Sequence, residues 1–141
     1  MYISKLLLSG SKILKLNNIR THQLDCELVL SNLLKKQREN FIIEPNQKVS
    51  ESIVLNFEKL INRRAKKEPL AYILKNKEFW SNDFFVDRDT LIPRPETELL
   101  CENIIKIFRN KNLYLLDMGT GSGCIILSIL TELKRAKGIG I

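Results

Sequence analysis

Leu113-Tyr114-Leu115-Leu116-Asp117-Met118-Gly119-Thr120-Gly121-Ser122-Gly123-Cys124-Ile125-Ile126-Leu127-Ser128-Ile129-Leu130 is the stretch that decides the fold of this chain. An apolar run of strand length ends in an acid. A glycine-alternating turn follows, and then a second apolar run of helical length. Strand, glycine turn and helix in that order build a ligand site at the carboxyl end of a parallel strand. Glycine is needed in such a turn because it accepts positive φ and, lacking a Cβ, lets the backbone touch a ligand. The leading amides of the next helix face the same space.

The spacing Gly119-x-Gly121-x-Gly123 differs from the G-x-G-x-x-G of dinucleotide enzymes. Asp117, two residues ahead of the first glycine, would repel a pyrophosphate. It suits a ligand with a cationic end and no phosphate. S-adenosylmethionine, with an ammonium, a sulfonium and a ribose, fits that description. A turn that only packs, with no ligand, has little need of three alternating glycines after an acid.

At 141 residues the chain has the length of one domain or two small ones. Its 44% hydrophobic residues can bury a core, and 28% charged residues keep it soluble. No apolar run approaches the roughly 20 residues of a membrane helix. The start, Met1 to Leu8, is followed by Lys12 and Lys15 and lacks a small-residue cleavage site. It reads as an amphipathic helix and not as a signal peptide. Cys26, Cys101 and Cys124 are far apart, odd in number and without a C-x-x-C. They read as reduced thiols of a cytoplasmic protein, with no metal site, and Cys124 as a packing residue. The lone His22 reads as a surface residue. Residues 1–70 hold 13 Lys and Arg against 7 Asp and Glu, and residues 71–141 hold 10 against 9. The basic half could meet an acidic partner or nucleic acid, or be a lysine-rich solvated face.

Taken in order, residues 3–16 place Leu6, Leu7, Ile13 and Leu14 at helical spacing. Thr21 is the expected N-cap of a helix through Lys35, with Leu24, Leu28, Leu30 and Leu34 on its apolar face. Residues 36–44 form a short helix or turn before Pro45. Ser50 caps a helix to about Lys67 with Ile53, Phe57, Leu60 and Ile61 inward. The cluster Arg63-Arg64-Ala65-Lys66-Lys67 sits where it complements the helix dipole. These segments read as a small helical bundle. Glu78 to Ser81 and Asp83 to Val86 are aromatic, β-rich runs joined by a Ser-Asn-Asp turn, and so a β-hairpin. Pro95 suits the first turn of a helix to about Phe108, with Leu99, Ile104, Ile107 and Phe108 inward. Strand 113–117, the glycine turn, helix 122–135 and a strand from Gly138 follow.

Three pieces coincide. Glu68-Pro69-Leu70-Ala71-Tyr72-Ile73 precedes Glu78-Phe79-Trp80. Leu91-Ile92-Pro93-Arg94-Pro95-Glu96-Thr97-Glu98 comes next, and Asp117-Met118-Gly119-Thr120-Gly121-Ser122-Gly123 last. In this order and at these separations they resemble the HemK/PrmC family, the protein-(glutamine-N5) methyltransferases of peptide chain release factors. The proline-arginine-proline box is the specific signal, since the glycine box alone would indicate only a class I methyltransferase. The match is weaker over residues 1–60.

The resemblance implies an α/β fold: a small N-terminal helical bundle, a β-hairpin linker, and the first part of a Rossmann-like class I methyltransferase domain. The boundaries expected are a release-factor-binding helical domain over 1–74, a linker over 75–92, and the start of an S-adenosyl-L-methionine-binding domain over 93–141. The implied reaction moves a methyl group to the side-chain amide of the glutamine in the Gly-Gly-Gln loop of a release factor. Carried over by position, Asp117, Gly119, Thr120, Gly121, Ser122 and Gly123 bind the cofactor, Asp117 at its amino-acid end. Arg94, Pro95, Glu96 and Thr97 line the pocket mouth, Arg94 alternatively forming a salt bridge with a neighbouring acid. The expected partner is a release factor, with nucleic acid involved only indirectly, no membrane, and a monomeric state.

The resemblance also implies a substrate-binding Asn-Pro-Pro-Tyr box, and none of Pro45, Pro69, Pro93 or Pro95 belongs to one. The acid expected to bind the ribose hydroxyls after the second strand is also absent. No catalytic residue is therefore assigned, and the chain reads as truncated and inactive by itself. Two other readings stand beside this one. The first is a class I methyltransferase acting on an exocyclic base amine. The second is a non-catalytic remnant that binds a release factor or RNA.

Overall fold

Apolar residues at helical spacing, separated by lysines, fold the first half of the chain into helices. The computed structural model describes residues 1–141 and divides into two units, Met1–Leu74 and Lys75–Ile141. The first unit is all-helical: α1 (Ile3–Leu16), α2 (His22–Leu34), α3 (Asn40–Ile43), α4 (Glu51–Ala65) and α5 (Leu70–Leu74). Its core joins Ile3, Leu6 and Leu14 of α1 to Cys26, Val29 and Leu30 of α2 and Phe57 and Ile61 of α4. Gly10 makes this packing possible. A Cβ there would lie 2.8 Å from the Phe57 ring, closer than real side chains approach, and a tight 3.0 Å from the Cys26 sulfur. The amino terminus is tied down by an antiparallel bridge between Tyr2 and Lys48, and the Val49 N–H donates to the Met1 carbonyl.

Ser50 caps α4, its Oγ accepting the Ile53 N–H at 3.4 Å. Thr21 precedes α2 but makes no side-chain cap bond. Its backbone is already turned toward the helical region, φ −86° and ψ 23°, so the hydroxyl cannot fold over the first turn. His22 is half-buried and its Nδ1 lies 2.8 Å from Ser11 Oγ, joining α2 to α1 where a surface residue was expected. The inward face of α2 is also rotated. Asp25, Cys26, Val29 and Leu30 are buried, whereas Leu24 is 40% exposed.

On this buried face the Asp25 side chain accepts the Arg64 Nε–H at 2.6 Å in a nearly dry setting. Arg64 also donates through Nη1 to the Glu68 carbonyl. Arg63 grips the Glu68 carboxylate through both Nε and Nη2, at 2.8 and 2.7 Å. The double arginine therefore does more than face a helix dipole. It pins α4 to α2 and shapes the turn into α5.

The second unit opens with a hairpin, β1 (Lys77–Phe79) and β2 (Asn82–Phe84), paired antiparallel with Phe79 opposite Asn82. Its two-residue turn is Trp80-Ser81, both left-handed at φ 52° and 56°, and not the expected Ser-Asn-Asp. Two positive φ values match the twist of hairpin strands, which lower-strain turn types would splay. Phe79 and Phe84 meet edge to face, their centroids 6.3 Å apart. They bury against Cys101, Cys124, Ile129 and Leu133. The hairpin is thus built into the core of this unit.

A 3-10 turn (Pro95–Thr97) leads into α6 (Glu98–Phe108), followed by β3 (Leu113–Asp117), α7 (Cys124–Glu132) and β4 (Ala136–Gly140). β3 and β4 pair parallel, from Leu113↔Ala136 to Asp117↔Gly140, with α7 as the crossover. The mixed helical and α/β architecture expected from the sequence is therefore present. On α6 the buried stripe is Cys101 with Ile104, Ile105 and Phe108, while Leu99 and Ile107 are 62% and 61% exposed. Only the side of α6 that meets α7 and the hairpin has partners. α7 is shorter than the expected 122–135 at both ends: Gly123 is left-handed, φ +77°, and Leu133 leaves the helical region at φ −93° and ψ 78°. No helix is long and apolar enough to cross a membrane.

Two substitutions test this packing. Asp25→Asn removes the charge that Arg64 faces, and is expected to lower the stability of the helical unit by roughly 2–3 kcal/mol, read by the loss of helical circular dichroism in urea. Ser128 is fully buried in α7 and its hydroxyl has no partner. Ser128→Ala is expected to raise the stability of the second unit by about 1 kcal/mol. Trp80 is the one tryptophan, so its fluorescence reports that transition separately.

Candidate functional site

Asp117 ends β3 at the point where the chain must leave the sheet and start α7. Gly119, Gly121 and Gly123 all sit in the left-handed region, φ +76°, +54° and +77°, which other L-residues adopt only with strain. The turn is held to the neighbouring strand. The Gly119 and Thr120 amides donate to the Ile141 carbonyl at 2.7 and 3.0 Å, and the Ile141 amide donates to the Asp117 carbonyl at 2.9 Å. The Gly123 amide closes the turn onto the Thr120 carbonyl at 2.8 Å. Thr120 Oγ1 donates to Asp117 Oδ2 at 3.0 Å, and a Cβ on Gly140 would lie only 2.6 Å from that same Oγ1. The glycine of β4 is thus what lets Thr120 lie over the strand.

On its outer side the turn is open. A Cβ built on Gly119 or Gly121 would meet nothing within 4 Å. Those two glycines therefore answer to backbone conformation and leave free space beside it. Ser122 Oγ is buried and has no hydrogen-bond partner. A rigid backbone with room beside it, an unpaired hydroxyl and an acid at its base suit a polar ligand with a cationic end.

Arg94, Pro95, Glu96 and Thr97 lie ahead of α6. The segments that leave α6 and α7, Arg109 to Lys111 and Leu133 to Arg135, line one common cavity. The two helices therefore run in the same direction, with their leading ends together. Cys101 and Cys124 accordingly share one core. Burial pushes the Cys101 thiol up to about 11, with Cys124, Glu98 and Asp117 adding to it. The start of α6 and the glycine turn that opens α7 thus lie toward one end of this unit. Arg94 is exposed and no acid pairs with it, so the salt-bridge alternative is not realised. Pro95 and Glu96 are exposed and Thr97 is half-buried.

Trp80 and Glu98 take roles that sequence reasoning missed. The Trp80 amide donates to Glu98 Oε1 at 2.9 Å, and its indole Nε1–H donates to Glu132 Oε1 at 3.1 Å. Asn82 Nδ2 donates to the Trp80 carbonyl at 2.8 Å. Both residues stand inside quoted motifs, yet nothing in linear spacing pairs them.

Residues 5–74 match the family model described as the PrmC N-terminal domain. The release factor glutamine methyltransferase of Nitratidesulfovibrio vulgaris is 40% identical over 119 residues, which is 84% of this chain and 40% of that protein. That of Coxiella burnetii is 44% identical over 114 residues, 80% of this chain and 41% of the relative. That of Aliivibrio fischeri is 37% identical over 139 residues, 99% of this chain and 49% of the relative. The chain thus spans two-fifths to one-half of the length of these curated relatives. Each matched stretch is longer than either structural unit and so crosses from the helical part into the second unit. With that continuity and a recognised N-terminal domain, the chain belongs to the HemK/PrmC family of release factor glutamine methyltransferases.

Proposed function

We propose that, within the whole protein, this chain forms the cofactor wall and the pocket mouth of a methyltransferase. Its substrate is the side-chain amide of the glutamine in the Gly-Gly-Gln loop of a peptide chain release factor. The observation that carries the reading is the rigid, outward-open glycine turn over Asp117, on a chain of this family. When bound, S-adenosyl-L-methionine supplies an electrophilic methyl group on a sulfonium.

Asp117 places a carboxylate where a ligand ammonium gains most, and Thr120 orients it through their hydrogen bond. The Gly119 and Thr120 amides are occupied by the Ile141 carbonyl. The donors that face a ligand are therefore the amides of Gly121 and Ser122, those that lead α7, and the buried Ser122 hydroxyl. Gly119 and Gly121 leave the room that a side chain would fill. Arg94, Pro95, Glu96 and Thr97 form the mouth. The two prolines hold the backbone extended, and Arg94 is a free cation for an arriving protein loop. The helical unit carries the partner-binding role, the whole protein works as a monomer, and a release-factor substrate places it in the cytoplasm. None of these 141 residues is assigned to hold the reacting amide. That role falls to the substrate box that the family resemblance implies.

Calorimetric titration of the full-length protein with S-adenosyl-L-methionine tests the pocket. Gly121→Val should weaken binding about tenfold or more, because a branched residue is strained at this φ and fills the open side. Nothing in the folded turn clashes with the new side chain, so an unchanged melting profile with unchanged affinity would reject the assignment. Labelled cofactor and a release factor test the reaction. Methyl transfer is expected from the full-length protein, to the loop glutamine only. Residues 1–141 alone are expected to transfer none.

A further inference from the structure

The hydrogen bond from Trp80 to Glu98 joins residues 18 apart in sequence and closes the segment between them into a loop. The proline-arginine-proline box lies on that loop. The geometry points to Glu98 as a positioning residue: its carboxylate staples the loop over 81–97 and so fixes Arg94 for the protein substrate. This inference rests on the reading of Arg94 as part of the pocket mouth.

The turn that Glu98 grips is strained. A left-handed φ is unusual for any residue with a side chain, and more so for one as bulky as tryptophan. Trp80 and the following Ser81 both adopt it. Such a conformation persists only where the surroundings over-determine it. Here three bonds converge on Trp80: Glu98 holds its amide, Asn82 its carbonyl, and Glu132 its indole. Glu98 is the first residue of α6, directly after Arg94–Thr97, so the grip acts at the base of the box. The loop carries its own anchors too. Val86 is fully buried and Pro93 is buried. Asp87 Oδ1 accepts from the Asp89 amide and the Thr90 hydroxyl, both at 3.1 Å. Arg94 thus projects from a loop closed at its base and plugged along its length. A closed loop loses less entropy on meeting a partner than an open one.

The glycine turn depends on none of these bonds, since its own hydrogen bonds run to Ile141 and within 117–123. Loosening the staple should therefore weaken the protein substrate and spare the cofactor. Two substitutions in the full-length protein separate the hydrogen bond from mere charge. Glu98→Asp keeps the carboxylate at the helix start but is one methylene too short to reach Trp80. Glu98→Gln keeps the reach and an acceptor oxygen but loses the charge. E98D is expected to raise KM for the release factor about tenfold, with kcat and cofactor Kd unchanged. E98Q should restore KM to near the wild-type value. Hydrogen exchange at the Trp80 amide should be slow in wild type and E98Q and fast in E98D. E98D with wild-type KM and slow exchange overturns the inference, as does E98Q behaving like E98D. A parallel change in kcat, KM and Kd would mean general damage and also overturns it. If the wild-type protein methylates no release factor, the functional reading fails instead, and the exchange rates still decide whether the staple exists.

Discussion

Parallel strands cannot be joined by a tight turn, and the second unit is organised by that constraint. β3 and β4 lie side by side in the same direction, so the chain must leave the sheet, return along α7 and enter again. Six residues, 118–123, separate β3 from α7, and within them the backbone reverses completely. Reversal in so short a span requires left-handed residues, and three glycines supply them. Because the glycines meet the conformational demand without side chains, the same turn leaves an open backbone surface at the carboxyl end of β3. That open surface is thus a by-product of sheet topology. The adjacent strand makes it rigid, through the bonds of Asp117, Gly119 and Thr120 to Ile141.

The helical unit is organised by a different constraint, the close approach of α1 to α2 and α4 at Gly10. That approach leaves the Phe57 ring and the Cys26 sulfur against bare backbone. It also pushes the Cys26 thiol up to about 12, chiefly by burial and then by the charges of Asp25 and Glu27. Helices packed this tightly have little rotational freedom, so Asp25 is carried inward with its neighbours. Arg64 is the group that makes an inward carboxylate tolerable, since an uncompensated charge at 4% exposure would cost several kcal/mol. Gly10 and the Asp25–Arg64 pair meet on neighbouring residues of α2, Cys26 lying against Gly10 and Asp25 against Arg64.

Most elements of both units were legible in the sequence because their signals are local. Helical spacing marks α1, α2 and α4, Ser50 marks an N-cap, and Asp117 with three glycines marks a strand-to-helix turn. What was not legible depends on partners distant in sequence. The apolar residues of α6 predict a helix, but not that Leu99 and Ile107 would face outward while Cys101 is fully buried. Residue identity alone fails in the same way at Thr21: a threonine favours a cap, and the incoming backbone angle forbids it. Trp80 in a left-handed turn has no propensity to announce it. Its conformation is set by Glu98, Asn82 and Glu132, none of which can be chosen as a partner from spacing. At the site itself the turn and its acid were legible, whereas the grip of Glu98 on the hairpin was not.

Residues 1–70 carry 13 cations against 7 acids, which could mark a docking face or an ordinary solvated one. Arg38, Arg63 and Arg64 are paired with Glu27, Glu68 and Asp25, and Lys36 lies against Glu44. The planar guanidinium suits such fixed pairing. Arginines of the helical unit are thereby largely committed to holding it together. The excess falls on lysines such as Lys5, Lys12, Lys15, Lys59 and Lys66, all exposed, which are well hydrated and screened over about 8–10 Å at physiological salt. Dispersed hydrated charge of this kind accelerates encounter with an acidic partner more than it tightens the complex. Specific recognition must then come from fixed groups, and in the second unit the exposed Arg94, carried between two prolines, is the group proposed for that role.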